Sequence, residues 1–140
     1  MSYEPKALTA SATLNSSYVG APVVVNAAAG LTLTLPAASG TGEEYDIVIG
    51  TTVTSNNVII QVANASDVMT GVAINAADGG DTAVMFETAS TSDTITLNGT
   101  TKGGVKGDRI VLRDIAANTW HVQVIGSATG SEATPFSAAV

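Results

Sequence analysis

The chain has no cysteine, a single histidine, and 5 basic residues against 12 acidic ones, and only 4% of its 140 positions are aromatic. Without cysteine there is neither a disulfide framework nor a thiolate metal site, so stability must come from packing or assembly. The net charge of −7 disfavours attraction to nucleic acid and to anionic membranes, so neither is an expected partner. No stretch approaches the roughly 18 consecutive apolar residues of a membrane-spanning helix. The opening "MSYEPKALTASATLNSSYVG" lacks a charged segment followed by an apolar run, so neither export nor anchoring is expected. The scarcity of aromatic residues also disfavours a carbohydrate-binding face, which needs exposed Trp or Tyr.

What the chain does have is an apolar period of two, bounded by turn-forming residues. "LTLTLP" sets Leu31, Leu33 and Leu35 on one face and Thr32 and Thr34 on the other, and Pro36 stops a central strand from continuing. Strands are likewise expected at Val23 to Val25, Tyr45 to Ile49, Val58 to Val62, Val68 to Ile74 (broken by Gly71), Thr82 to Glu87 and Thr94 to Leu97. A further pair is expected within "KGGVKGDRIVLRDIAANTWHVQV": Asp108 to Arg113 against Thr119 to Val124, with Trp120 turned into the core. Short strands at this spacing predict an all-β, single-domain β-sandwich or jelly-roll-like module. With 45% hydrophobic residues, largely Ala and Val, its core should be built from thin layers. Residues 1–20 and 127–140 are rich in Ala, Ser and Thr and predict extended N-terminal and C-terminal arms flanking a domain at 21–126.

Few residues suggest chemistry. In "TWHVQV", alternation turns Trp120 inward and His121 outward, and no GxSxG elbow supplies a nucleophile, so a Ser-His-Asp site is not expected. Glu43 and Glu44 are adjacent in a turn, where neighbouring side chains diverge instead of meeting at one bond. "DGGD" at Asp78 to Asp81 lacks the alternating oxygen ligands of a calcium loop. "GGVKG" at Gly103 to Gly107 leads into a strand, whereas a phosphate-binding loop needs GxxxxGK[ST] opening a helix. The expectation is a chain that is not an enzyme and takes no cofactor or metal.

The charge distribution is more informative. Lys102 to Asp114 holds four of the basic residues and two acidic ones, whereas the rest of the chain has one basic and ten acidic residues. Alternation places Arg109, Val111 and Arg113 on one outward face, beside His121 on the neighbouring strand. Lys106, Arg109, Arg113 and His121 are therefore the candidate interface residues, read either as a solvated face or as a contact with acidic groups of another protein. Many short strands with thin side chains also leave sheet edges and surface apolar groups that association can cover.

The succession "VVVNAAAGLTLTLPAASGTGEEYDIVIG", "TITLNGTTKGGVKGDRIVLRDIAANTWHVQVIGSATG" and "ATPFS" resembles small virion proteins of tailed bacteriophages, in particular head decoration (cement) proteins. The features that carry the resemblance are the "LTLTLP" strand, the strand entry at Gly107 to Leu112, and Trp120 followed by alternating valines. It implies a structural protein, usually a homotrimer, on the outer surface of a capsid assembled in the bacterial cytoplasm, where it bridges neighbouring major capsid proteins. Similar glycine-bounded strands occur in tail fibres and spikes, so the alternative is a receptor- or glycan-binding module.

Overall fold

A computed structural model describes residues 3–140. These residues form β1 (Lys6–Leu8), β2 (Ala12–Thr13), β3 (Pro22–Val25), β4 (Leu31–Thr34), β5 (Glu44–Ile49), β6 (Val58–Gln61), β7 (Val68–Ala77), β8 (Thr82–Glu87), β9 (Thr94–Leu97), β10 (Arg109–Ala116), β11 (Thr119–Ala128) and β12 (Phe136–Ser137). The one helical element among the described residues is a 3₁₀ turn at Ser16–Tyr18. None of it is long and apolar enough to cross a membrane. The chain is all-β, as its period of two predicts.

The strands form two sheets. The large sheet has seven strands in the order β1-β3-β5-β10-β11-β7-β8, and the small sheet five in the order β12-β9-β6-β4-β2. From β1 to β6 the chain alternates between them, each strand of one sheet followed by a strand of the other. This alternation explains the parallel pairing of β1 with β3, β3 with β5, β2 with β4, and β4 with β6. A parallel pair needs a crossover, usually helical, and here a strand of the opposite sheet supplies it. The pairing is therefore mixed, in contrast to the antiparallel strands of a jelly roll.

Both sheets turn apolar faces into one core. Leu31, Leu33 and Leu35 meet Val23, Val25, Ile47, Ile49, Ile110, Leu112, Val122 and Val124 in a single buried cluster. Trp120 is 1% exposed and lies against Tyr45, ring centroids 5.8 Å apart. The β10–β11 hairpin forms as predicted but runs further, to Ala116 and Ala128, and a bulge between Asp114 and Ala116 precedes its tight turn. Gly71 does not interrupt β7. It faces Val122 across the parallel β11 pairing, so closely that a Cβ would collide with the Val122 carbonyl.

The terminal segments differ from the expected arms. β1 and β2 lie in the two sheets, and Leu14 between β2 and the 3₁₀ turn is 1% exposed. At the other end β11 extends to Ala128, Phe136 pairs with Ile95, and the Asp93 carboxylate accepts the Ala139 and Val140 N–H groups. Composition suggested arms because these strands are two or three residues long, too short to display a period. Their burial comes from isolated anchors, Leu14 and Phe136.

Candidate interface on the large sheet

Strand register assembles the outward face of the large sheet row by row. One row crosses every strand: Ala7, Val24, Val48, Arg109, Ile125, Ile74 and Met85 are successive partners. The next row holds Pro22, Asp46, Val111, Gln123, Val72 and Glu87, and the third Glu44, Arg113, His121 and Thr70. The first row is apolar except for Arg109, and it is uncovered where Ile125, Ile74 and Met85 are 61%, 41% and 67% exposed. Val72, 39% exposed, adjoins them from the second row. Most large apolar side chains on a monomer surface are scattered, so a contiguous group on one sheet face marks a contact surface.

Of the predicted cations, Arg109 adjoins this patch and Arg113 lies two rows along the same face, and both arginines have partners within the chain. Arg109 donates from Nε to Asp46 Oδ1 at 2.8 Å and from its terminal nitrogen to Oδ2 at 3.1 Å. Arg113 donates twice to Glu44 Oε2, at 3.1 and 2.7 Å. The hydrogen bond and charge of Asp46 raise the Arg109 pKa above its ordinary value. The two arginines thus balance Asp46 and Glu44, and exposed Glu87 at the β8 end of the second row leaves the face with one net negative charge on a chain whose net charge is −7. His121 is half-buried, opposite Arg113 on one side and Thr70 on the other. Lys106 lies outside these rows, in the exposed loop before β10, where its backbone N–H donates to Thr52 Oγ1. An open depression of about 410 Å³ adjoins the Arg113–Glu44 pair, lined also by Val19, Ala21, Pro22 and Asp46.

Two buried carboxylates shape the loops at the ends of β10. Asp114 accepts hydrogen bonds from the N–H groups of Ser39, Gly40 and Thr41 and from the Thr41 hydroxyl. Burial alone would raise its pKa, but these donors outweigh burial and hold it below the usual carboxylate range. At the opposite end Asp108 accepts from Gly104, Val105 and Ser127, yet there burial dominates and the pKa is raised. The "GGVKG" donors at Gly104 and Val105 are therefore engaged by the chain's own carboxylate instead of forming an anion cradle. Glu43 accepts from the Tyr45 hydroxyl at 3.3 Å while Glu44 pairs with Arg113, so the adjacent acids do different things. Burial and the nearby Glu43 push the Tyr45 pKa up to about 12. Among the described residues, no three His, Asp or Glu side chains are placed to hold a metal ion.

Sequence reasoning located the two arginines on the outward face but missed Ile74, Met85 and Ile125. Its signal was available: Val72 and Ile74 alternate with Met69 and Ala73, and Ile125 follows Val124, so apolar residues occupy both faces of β7 and β11. A strand apolar on both faces needs cover on both. Fold and face together define an all-β protein with a broad sheet surface that bears two ion pairs and an uncovered apolar patch. No known protein-family model matches the chain, nor does any curated protein or solved structure.

Proposed function

We propose that the chain is a structural virion protein of a tailed bacteriophage, decorating the outer surface of the capsid and docking on the major capsid protein through the outward face of the large sheet. The observation that carries this reading is the uncovered Ile125–Ile74–Met85 row on the face that also bears the two arginine ion pairs. An apolar centre with a polar border is the composition of a protein-docking surface. Because Asp46 and Glu44 engage Arg109 and Arg113, the contact draws its affinity from apolar burial, and the ion pairs set orientation at its margin. The depression beside Arg113 provides a socket for a side chain of the capsid protein. The resemblance of the strand and turn patterns to head decoration proteins supplies the identity of the partner.

The test is co-sedimentation of the purified protein with expanded capsids lacking it. Wild type is expected to sediment with the capsids, and the Ile74→Ser/Ile125→Ser double variant, folded by circular dichroism, to remain in the supernatant. Equal binding by the variant would remove the large-sheet face from the contact. Absence of capsid binding by the wild type, together with binding to host cells, would favour the receptor-binding alternative.

A further inference from the structure

We propose that β8 pairs, antiparallel and about a two-fold axis at Met85, with β8 of a second copy of this chain. The inference is independent of the virion reading. Among the described residues β8 ends the large sheet and pairs with β7 alone. Thr88 N–H donates to the Gly71 carbonyl, which fixes the direction of every backbone group along the strand. By alternation Thr82, Val84 and Phe86 direct their N–H and C=O groups to β7, and Ala83, Met85 and Glu87 direct theirs to the open edge. Protein edges are commonly blunted by charged side chains, proline or a bulge, and in "TAVMFE" the one such feature is Glu87 at the strand's end, which leaves Thr82 to Phe86 without a charge or a proline.

The register follows from the pleat and the charges. Residues directly opposite in an antiparallel pair lie on the same face, so the two-fold axis must pass through a residue position. An axis at Val84 sets Glu87 opposite Asp81 of the other copy, a like-charge pair that disfavours it. An axis at Phe86 sets Glu87 beside exposed Met85 and leaves Ala83 beyond the strand pairing. With the axis at Met85, the Met85 residues face each other, Ala83 faces Glu87 in both directions, and about six main-chain hydrogen bonds close the edge. The same register joins the two apolar rows, so Ile125, Ile74 and Met85 of one copy continue into Met85, Ile74 and Ile125 of the other. Such a pairing closes at two copies, whereas the resemblance implies three.

The cysteine-free chain allows a direct test in the full-length protein. In a hydrogen-bonded antiparallel pair the opposed Cα atoms are about 5.5 Å apart, within the range of a disulfide. Met85→Cys should therefore cross-link to a covalent dimer under mild oxidation. Ala83→Cys, whose counterpart lies four residues along the ladder at about 13 Å, should not. Light scattering of the wild type at micromolar concentration should give twice the chain mass, and the mass should fall to that of one chain in Met85→Lys, with the circular dichroism spectrum retained. A wild-type mass of one or three chains overturns the proposal. So does oxidation of Ala83→Cys as readily as Met85→Cys. These readouts involve no capsid, so failure of the pairing and failure of the docking reading are distinguishable.

Discussion

Replacing Trp120 with alanine tests how much of the fold depends on the residue that joins β11 to the core. The side chain is 1% exposed, lies 5.8 Å from Tyr45 between ring centroids, and belongs to the cluster shared by both sheets. Truncating a buried tryptophan to alanine costs about 3–5 kcal/mol, of which the aromatic pairing is about 0.5–1.5 kcal/mol. Domains of this size have a total stability of about 5–15 kcal/mol, so Trp120→Ala should remove a large share of it. Trp120→Phe should cost much less than alanine. It retains a ring against Tyr45 and removes the indole Nε1, which is buried without a hydrogen-bond acceptor among the described residues. The assay is urea unfolding followed by far-UV circular dichroism, since the only tryptophan is lost. The midpoint should fall steeply for alanine and modestly for phenylalanine at nearly constant slope. Equal midpoints for wild type and Trp120→Ala would refute the placement of this side chain in the core.

Further outcomes follow from the termini and the charged groups. Leu14→Ala should lose about 2–5 kcal/mol in the same assay, and a chain beginning at Ala21 should unfold at a markedly lower midpoint because it lacks β1, β2 and Leu14. An unchanged midpoint in either would restore the N-terminal segment to a detachable arm. Arg109→Ala and Arg113→Ala should each change stability by no more than about 1 kcal/mol, because both ion pairs are exposed; a larger loss would show a structural role for them. The two buried carboxylates should give pH dependences of opposite sign. Asp114 has a lowered folded-state pKa, so its stabilisation is present above the unfolded value of about 3.9 and disappears as pH falls through the lower folded value. Asp108 has a raised one, so its contribution is present below about 3.9 and is lost as pH rises through the folded value. Unfolding midpoints measured from pH 2 to 7 should show the deficit of Asp114→Asn shrinking in acid and that of Asp108→Asn shrinking towards neutrality. Matching trends would refute the assignment.

The legible parts of this fold are those in which one face is buried and the other wet. Leu31, Leu33 and Leu35 alternate with threonines, and Trp120, Val122 and Val124 with His121 and Gln123, so period two alone locates these strands and their inward faces. Pairing was not legible. That β3 lies beside β5 depends on the chain crossing to the other sheet at β4, and no local signal in "LTLTL" records which neighbour it will take. β1, β2 and β12 are too short for periodicity, and their anchors, Leu14 and Phe136, are single residues in polar surroundings. At the interface, charge made Arg109 and Arg113 conspicuous, but their partners Asp46 and Glu44 lie more than sixty residues away in sequence. The uncovered residues were hidden because Ile74 and Ile125 read as core in any hydrophobic pattern. Only the register, which sets them on the same face as Arg109, distinguishes them from Ala73 and Val124.

The most direct test of the docking account is a pair of electron cryo-microscopy reconstructions of phage capsids, prepared without the protein and then with the purified wild type added. Added density on the outer surface, with the Ile74 and Ile125 face of the large sheet against the major capsid protein, is the predicted result. Reconstructions that coincide, or density in which that face points to solvent, would contradict it.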